Sequence, residues 1–126
     1  GKCGVGVVNH YYLARMRAGI NGAKDQKLGN QVKIVMPNPA HVNISAAAVS
    51  KYAKNKSAAV KLIEFLASPN GSRGIAGPTF EFPLTGVGGS TYLKGMTKFT
   101  PDNVSISQLS ALNPKAIQLM AQAGWQ

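Results

Sequence analysis

The chain has 126 residues, 44% of them hydrophobic, which is enough for one globular domain with a buried core. No apolar run approaches the roughly 20 residues of a membrane-spanning helix, and no paired-carboxylate or nucleophile–histidine set can be assembled around only four acidic residues. We therefore expect neither a membrane span nor an enzyme. The only cysteine, Cys3, excludes an internal disulfide and argues against a zinc or iron–sulfur site.

The charge is strongly basic: 14 Lys and Arg against four Asp and Glu give a formal net charge of +10 and a pI near 10.1. Such a balance favours anionic partners, including nucleic acid. However, the basic residues are scattered, and the densest stretch, residues 51–61, alternates with Ala, Ser and Val as a solvated surface does. There is also no helix-turn-helix, zinc-finger or RNA-binding aromatic motif. We do not expect a nucleic-acid partner, although a small basic nucleic-acid-binding domain stays open as an alternative.

Two adjacent tyrosines follow the first predicted element, a short buried strand at residues 2–8. A helix is predicted from Tyr12, with Leu13, Met16 and Ile20 on one face. Neighbouring side chains diverge on a strand, but a strand-to-helix junction can aim Tyr11 and Tyr12 at one point. Phenolate oxygens are hard anionic donors that suit Fe(III). By spacing alone, however, such a pair is most often a packing feature.

Two charged or titratable neighbours accompany the tyrosines. Arg15 lies three residues after Tyr12 and four after Tyr11, so it can share their side of the helix and stabilise a phenolate or hold a small anion such as carbonate. The alternative is an arginine that faces solvent. His10 can bind metal or act as a hydrogen-bonded neighbour, and the second role is the commoner one for a lone histidine.

The middle of the chain is predicted to alternate loops and strands. Residues 19–31 are polar and contain glycine, so they indicate a surface loop. Residues 32–36 are apolar and predict a central strand that ends at Pro37. Residues 41–45 are expected to form an extended segment in which His41 has a structural role.

Helices dominate the second half of the prediction. Asn55 is the expected N-cap of a helix with a core-facing stripe at Ala59, Leu62, Ile63 and Leu66. Ser68–Pro69 predicts an N-cap and first position of a further helix, expected to be short or frayed because residues 71–74 (GSRG) are poor helix formers. A strand is predicted at residues 80–84 and a glycine-rich turn at 86–89. Asn113–Pro114 predicts the start of the last helix, capped and anchored by Gly124 and Trp125.

Six runs of the sequence together resemble one known family. In chain order they are VVNHYYLARM, VKIVMPN, HVNISAAAVSKYAKN, AVKLIEFLASP, FEFPL and NPKAIQLMAQAGW. They are similar to the C-terminal portion of the bacterial periplasmic ferric-iron-binding proteins, the substrate-binding subunits of iron-uptake ABC transporters. The resemblance covers nearly the whole chain, and the HYYLAR and HVNIS blocks are its most specific parts.

The resemblance implies a fold and a division of the chain. The fold is α/β, of the type II periplasmic-binding-protein class, with two lobes in the full protein. Residues 1–40 are expected to complete the second lobe and carry the tyrosines, and residues 41–126 to form the hinge return and helices that pack on the first lobe. We also expect the N-terminal half to be missing from this chain, because family members are longer and Gly1 is preceded by no initiator methionine or signal peptide.

The resemblance also implies a function. Tyr11 and Tyr12 match the family's adjacent iron ligands, and the remaining ligands are expected from the missing N-terminal half. The cargo would be Fe(III), with a synergistic anion such as carbonate, although residue types alone do not exclude Fe(II). The partner would be an inner-membrane ABC permease and the compartment the periplasm. An alternative keeps the fold but binds an organic ligand or another anion, with the tyrosines as a stacking wall.

Overall fold

The computed structural model describes residues 4–86 and 89–125, and these residues form five α-helices and one short 3-10 helix. The chain divides into two compact units: Gly1–Met36 with Ile44–Lys98, and Pro37–Asn43 with Phe99–Gln126. The assignment of residues 1–40 and 41–126 to different lobes stays a prediction. The elements are α1 (His10–Ala18), α2 (Ala23–Gln31), α3 (Lys56–Ala67), α4 (Pro69–Thr79), the 3-10 helix (Thr91–Leu93) and α5 (Ile106–Gln122).

Helix α1 ends at Gly19, which adopts the left-handed conformation (φ 72°) and donates its N–H to the carbonyl of Met16. Ile20, expected on the apolar face of this helix, lies beyond its end and is exposed. The glycine therefore stops the helix two residues before the end that the hydrophobic spacing predicted.

Helix α2 replaces the loop expected at residues 19–31, so that prediction was wrong. It packs closely on α1, because a Cβ added to Gly29 would lie 2.8 Å from the Cβ of Met16. Side chains join the two helices as well: Gln26 donates to the carbonyl of Arg17 at 3.1 Å, and Arg17 donates to the carbonyl of Val32 at 2.9 Å. A polar sequence is thus held helical by its neighbour rather than by an apolar stripe of its own.

The strands expected at residues 2–8, 32–36 and 80–84 do not form within residues 4–86 and 89–125, where these segments make no strand ladder. Residues 2 and 3 lie outside the described part of the chain. Val5 and Val7 are 89% and 90% exposed, so the first segment is not buried either. A strand exists only when a neighbour pairs with it, and the described residues supply no such neighbour to these segments.

Helices α3 and α4 meet at a tight turn around Ser68. Asn55 caps α3 as predicted, with its side chain accepting the N–H of Ala58 at 3.0 Å. Ser68 likewise caps α4 by accepting the N–H of Gly71 at 3.3 Å. Helix α4 runs for 11 residues with Pro78 in its last turn, so the expectation that it is short was wrong, while the alternative that it is frayed stays a prediction. The predicted stripe of α3 is only partly covered: Leu62 is exposed and its other members are half-buried.

One buried cluster forms the core of the first unit. It combines the inner face of α1 with residues that follow α4 and with the 3-10 helix: Leu13, Ala14, Phe80, Leu93 and Met96. Five half-buried side chains pack against it: Tyr11, Ala18, Ile34, Met36 and Phe82. The start of α1 is thereby fixed against residues about 70 positions later in the chain.

The second unit contains α5 and a pair of extended segments. Helix α5 begins after Ser105, whose side chain accepts the N–H of Gln108 while the Gln108 side chain accepts the N–H of Ser105. The start predicted at Asn113–Pro114 was therefore wrong, and Pro114 lies inside the helix. Gly124 (φ 70°) closes the helix as predicted, but Trp125 is 66% exposed and does not anchor it.

The extended segments of this unit touch at a single parallel bridge between Ala40 and Pro101. Beside it, the side chains of His41 and Asp102 approach to 3.0 Å, in keeping with the structural role expected for His41. In the part of the chain that the structure describes, no helix is both long and apolar enough to cross a membrane.

Candidate metal centre

Tyr11 and Tyr12 lie in the first turn of α1, directly after the extended segment that ends at Asn9. Their ring centroids are 4.7 Å apart and the rings meet edge to face at 69°. Tyr11 is half-buried against the core, and Tyr12 is exposed. The end of the extended segment thus brings two phenols into contact, although they come from consecutive residues.

The pKa of Tyr11 is raised above its usual 10.0. The largest cause is a side-chain hydrogen bond to Tyr12, followed by desolvation and by the charges of Tyr12 and Glu81, while Arg15 acts in the opposite direction. Tyr11 is consequently a neutral phenol at pH 7 when no cation is near. A metal that binds its oxygen has to displace the proton.

His10 is held on two sides by the segment that follows α4. Its Nε2 lies 3.1 Å from the carbonyl oxygen of Phe80, and its ring stacks on Phe82 at a centroid distance of 4.4 Å and an angle of 14°. Burial lowers the pKa of His10 below 6.5, against smaller raising effects from the Phe80 carbonyl and Glu81. A neutral ring that donates from Nε2 leaves the lone pair on Nδ1. His10 therefore fixes the entry of α1 beside the tyrosines.

Arg15 shares an open hollow of about 320 Å³ with Tyr11. The opposite wall is built by the end of α4 and the residues after it, including Phe80 and Glu81. Because Arg15 lies one helical turn after Tyr11, its guanidinium is on the side of α1 that the sequence predicted. The hollow therefore combines a phenol, a guanidinium and a carboxylate.

Residues 80–82 form a wall of this site that the sequence reasoning missed. The prediction placed them in a strand and gave no chemical role to Glu81. A usable signal was present, since Glu81 is one of only four acidic residues and is flanked by two phenylalanines.

No group of three or more His, Cys, Asp and Glu side chains within residues 4–86 and 89–125 is arranged to hold a metal ion. Among the described residues, the candidate donors at this place are therefore the two phenols, whose oxygens are hard anionic donors once deprotonated. Such a donor set is selective for hard, highly charged cations over soft ones.

Comparison with known proteins links the chain to iron uptake. No family model matches it. It is 33% identical over 129 residues to Iron uptake protein A2 and 30% identical over 131 residues to Iron uptake protein A1, both from Synechocystis sp. (strain ATCC 27184 / PCC 6803 / Kazusa). These matches cover 97% and 100% of this chain but only 37% and 36% of the relatives. The chain thus spans less than two fifths of the length of these relatives.

Solved structures support the same link. A Trichodesmium protein described as IdiA and FutA, in complex with iron and citrate ligands, matches 94% of this chain with a TM-score of 0.84 and 35% identity. A Bordetella ferric binding protein also matches 94% of it, with a TM-score of 0.83 and 30% identity. The chain covers 39% of each of these structures.

These matches confirm the predicted fold class, because both solved structures have the two-lobed α/β architecture of type II periplasmic binding proteins and the chain follows part of it. They also confirm the resemblance read from the sequence. The chain is therefore similar, over nearly its whole length, to one portion of proteins named for iron uptake and ferric binding.

Proposed function

We propose that this chain supplies two phenolate ligands, from Tyr11 and Tyr12, to a ferric-iron site, and that the protein serves iron uptake in the periplasm. The observation that carries the proposal is the contact between the two phenols at the start of α1. Its weight comes from the relatives, which are named for iron uptake and ferric binding, one of them in complex with iron and citrate.

The chemistry of the phenols supports a ferric cargo. Fe(III) is a small, highly charged cation that prefers anionic oxygen donors, and its field favours loss of the phenolic protons. The raised pKa of Tyr11 means that this loss accompanies metal binding rather than preceding it. Iron binding is therefore expected to release protons.

Two phenolates fill only part of an iron coordination sphere. We propose that the other ligands come from the portion of the protein that matches the rest of the relatives, of which this chain spans 36–37%. An anion such as carbonate would occupy a further position, and Arg15 would hold it because its guanidinium shares the hollow with Tyr11. His10 would support the site from behind through its contacts with Phe80 and Phe82.

The wider role follows from the same homology. The protein would bind and release its cargo without chemical conversion, so we propose that it is not an enzyme. It would deliver iron to an inner-membrane ABC permease. No nucleic-acid partner is proposed.

The test is a visible absorption titration with chelated Fe(III), made on the longest form of the protein that contains this chain. We expect a phenolate-to-iron charge-transfer band that weakens in Tyr11→Phe and in Tyr12→Phe. Tyr52→Phe is the matched control, because Tyr52 lies in an exposed turn and is 84% exposed. The control should keep the full band.

The result can also contradict the proposal. If the unmodified protein shows no band, or if all three variants keep it unchanged, Tyr11 and Tyr12 return to packing roles and an organic ligand becomes the better hypothesis. A band in the longer form that is absent from the 126-residue chain would show that ligands outside this chain are indispensable.

A further inference from the structure

The wall opposite the tyrosines depends on an unusual backbone conformation at Phe80. This residue has φ 60° and ψ 29°, the left-handed region that bulky residues rarely adopt. Its ring is buried in the core and its carbonyl accepts a hydrogen bond from His10. The surrounding contacts thus hold Phe80 in a conformation that it would not choose alone, and such residues concentrate at functional sites.

The turn at Phe80 directs the next two side chains. Phe82 stacks on His10, and Glu81 lines the hollow with Tyr11 and Arg15. The carboxylate of Glu81 is held from outside by Ser45, whose hydroxyl donates to Oε2 at 2.8 Å. Its charge is close enough to raise the pKa of both Tyr11 and His10. Glu81 is therefore a fixed negative charge beside the phenols.

Such a charge matters because the rest of the chain is basic. With a net charge of +10 over its 126 residues and with Arg15 lining the same hollow, this chain repels a cation and attracts anions. A tripositive ion is repelled most strongly. A carboxylate next to the phenols offsets this repulsion where the ion would sit.

We propose that Glu81 is a specificity-determining residue of the iron site, which favours a tripositive cation at the phenols by its charge and without coordinating the metal. This inference rests on the proposed function and adds to it a residue that is not one of the two proposed ligands. Ser45 acts as a positioning residue, because it holds the carboxylate toward the hollow.

The experiment compares Glu81→Gln with Glu64→Gln in the longest form of the protein. Both changes remove one negative charge, but Glu64 lies on the exposed face of α3. At low ionic strength we expect Glu81→Gln to weaken Fe(III) binding about tenfold, the order of effect that Coulomb's law gives for a unit charge within roughly 10 Å of a tripositive ion in water-like surroundings. Glu64→Gln should change the affinity by less than about twofold.

Four further readouts separate a charge effect from a structural one. Glu81→Asp should restore most of the affinity, since it keeps the charge. The tenfold loss should shrink at high salt, because screening weakens charge effects. The absorption maximum of the iron complex should stay in place, since the phenolate ligands are unchanged. Ser45→Ala should lie between the wild type and Glu81→Gln.

The outcomes are distinguishable. If the wild type binds iron and Glu81→Gln behaves like Glu64→Gln, the role of Glu81 is refuted and the proposed function stands. An absorption maximum that moves in Glu81→Gln also refutes the inference, in favour of direct coordination. If the wild type shows no charge-transfer band, the role of Glu81 falls together with the iron site.

Discussion

The turn between α3 and α4 allows a sharp test of the structure through two glycines of one helix. A Cβ built on Gly71 would overlap the carbonyl oxygen of Phe65 and lie 2.6 Å from the Cα of Leu66. A Cβ on Gly74 would meet no atom within 4 Å. The same change to alanine therefore meets main-chain atoms at one position and open space at the other.

The two effects have opposite signs. Alanine is better than glycine in a helix interior by about 1 kcal/mol, so Gly74→Ala should raise the free energy of unfolding by about 0.5–1 kcal/mol. Gly71→Ala has the same propensity gain, but the overlap involves backbone atoms that no side-chain rotation can move. The turn has to open, and we expect a net loss of about 1–3 kcal/mol, as for an overpacked core.

Urea unfolding followed by far-ultraviolet circular dichroism measures both changes on one background. The change in the free energy of unfolding of the double variant should equal about the sum of the two single changes, unless opening of the turn also disturbs the helix at Gly74. Equal stabilisation by both single changes would refute the reasoning, because it would mean that α4 does not pack against the end of α3 as closely as described.

Two pH dependences follow from the site. Burial lowers the pKa of His10 in the folded protein. The contribution of the buried neutral ring to stability is therefore present above pH 6.5, the pKa of an unfolded histidine, and is lost as the pH falls below that value. Urea unfolding above and below pH 6.5 should show this loss of stability, and the loss should be smaller in His10→Gln. Displacement of each phenolic proton should make Fe(III) association rise about tenfold per pH unit below the phenol pKa, and a pH-stat titration should record one proton fewer for Tyr11→Phe than for the wild type. Equal proton release in the two proteins would contradict binding through Tyr11.

Signals that act within one helical turn could be predicted from the sequence. Asn55 and Ser68 were identified as N-caps, and the structure gives each the expected hydrogen bond from a backbone N–H. An N-cap side chain and the backbone N–H that it accepts are three residues apart, so their hydrogen bond depends on no other part of the fold. The capping pair Ser105 and Gln108 has the same local character, and its spacing carries a start signal that the prediction from Asn113–Pro114 did not include.

Features that depend on distant contacts could not be predicted. Helix α2 has no apolar stripe and owes its place to Gly29, which allows α1 to approach. The segments predicted as strands pair with no neighbour among the described residues, and pairing is not encoded in a segment's own sequence. The role of Glu81 emerges only when the residue before it packs against His10, a contact between positions 70 residues apart. Neither periodicity nor spacing carries information about such an approach.

The tyrosine pair itself lies between these two cases. The closeness of Tyr11 and Tyr12 could be predicted from the sequence, because consecutive residues at the start of a helix lie close together whatever the rest of the chain does. Their role as ligands was not visible from spacing and rested on the family resemblance. The structure adds the contact between the rings and the hollow beside Tyr11.

The contact between His10 and the segment after α4 has a consequence for how the site is assembled. The phenols are neighbours from the moment α1 forms, whereas the wall at residues 80–82 arrives only when the chain closes a loop of 70 residues. The entropy of that closure is spent during folding and not during metal capture.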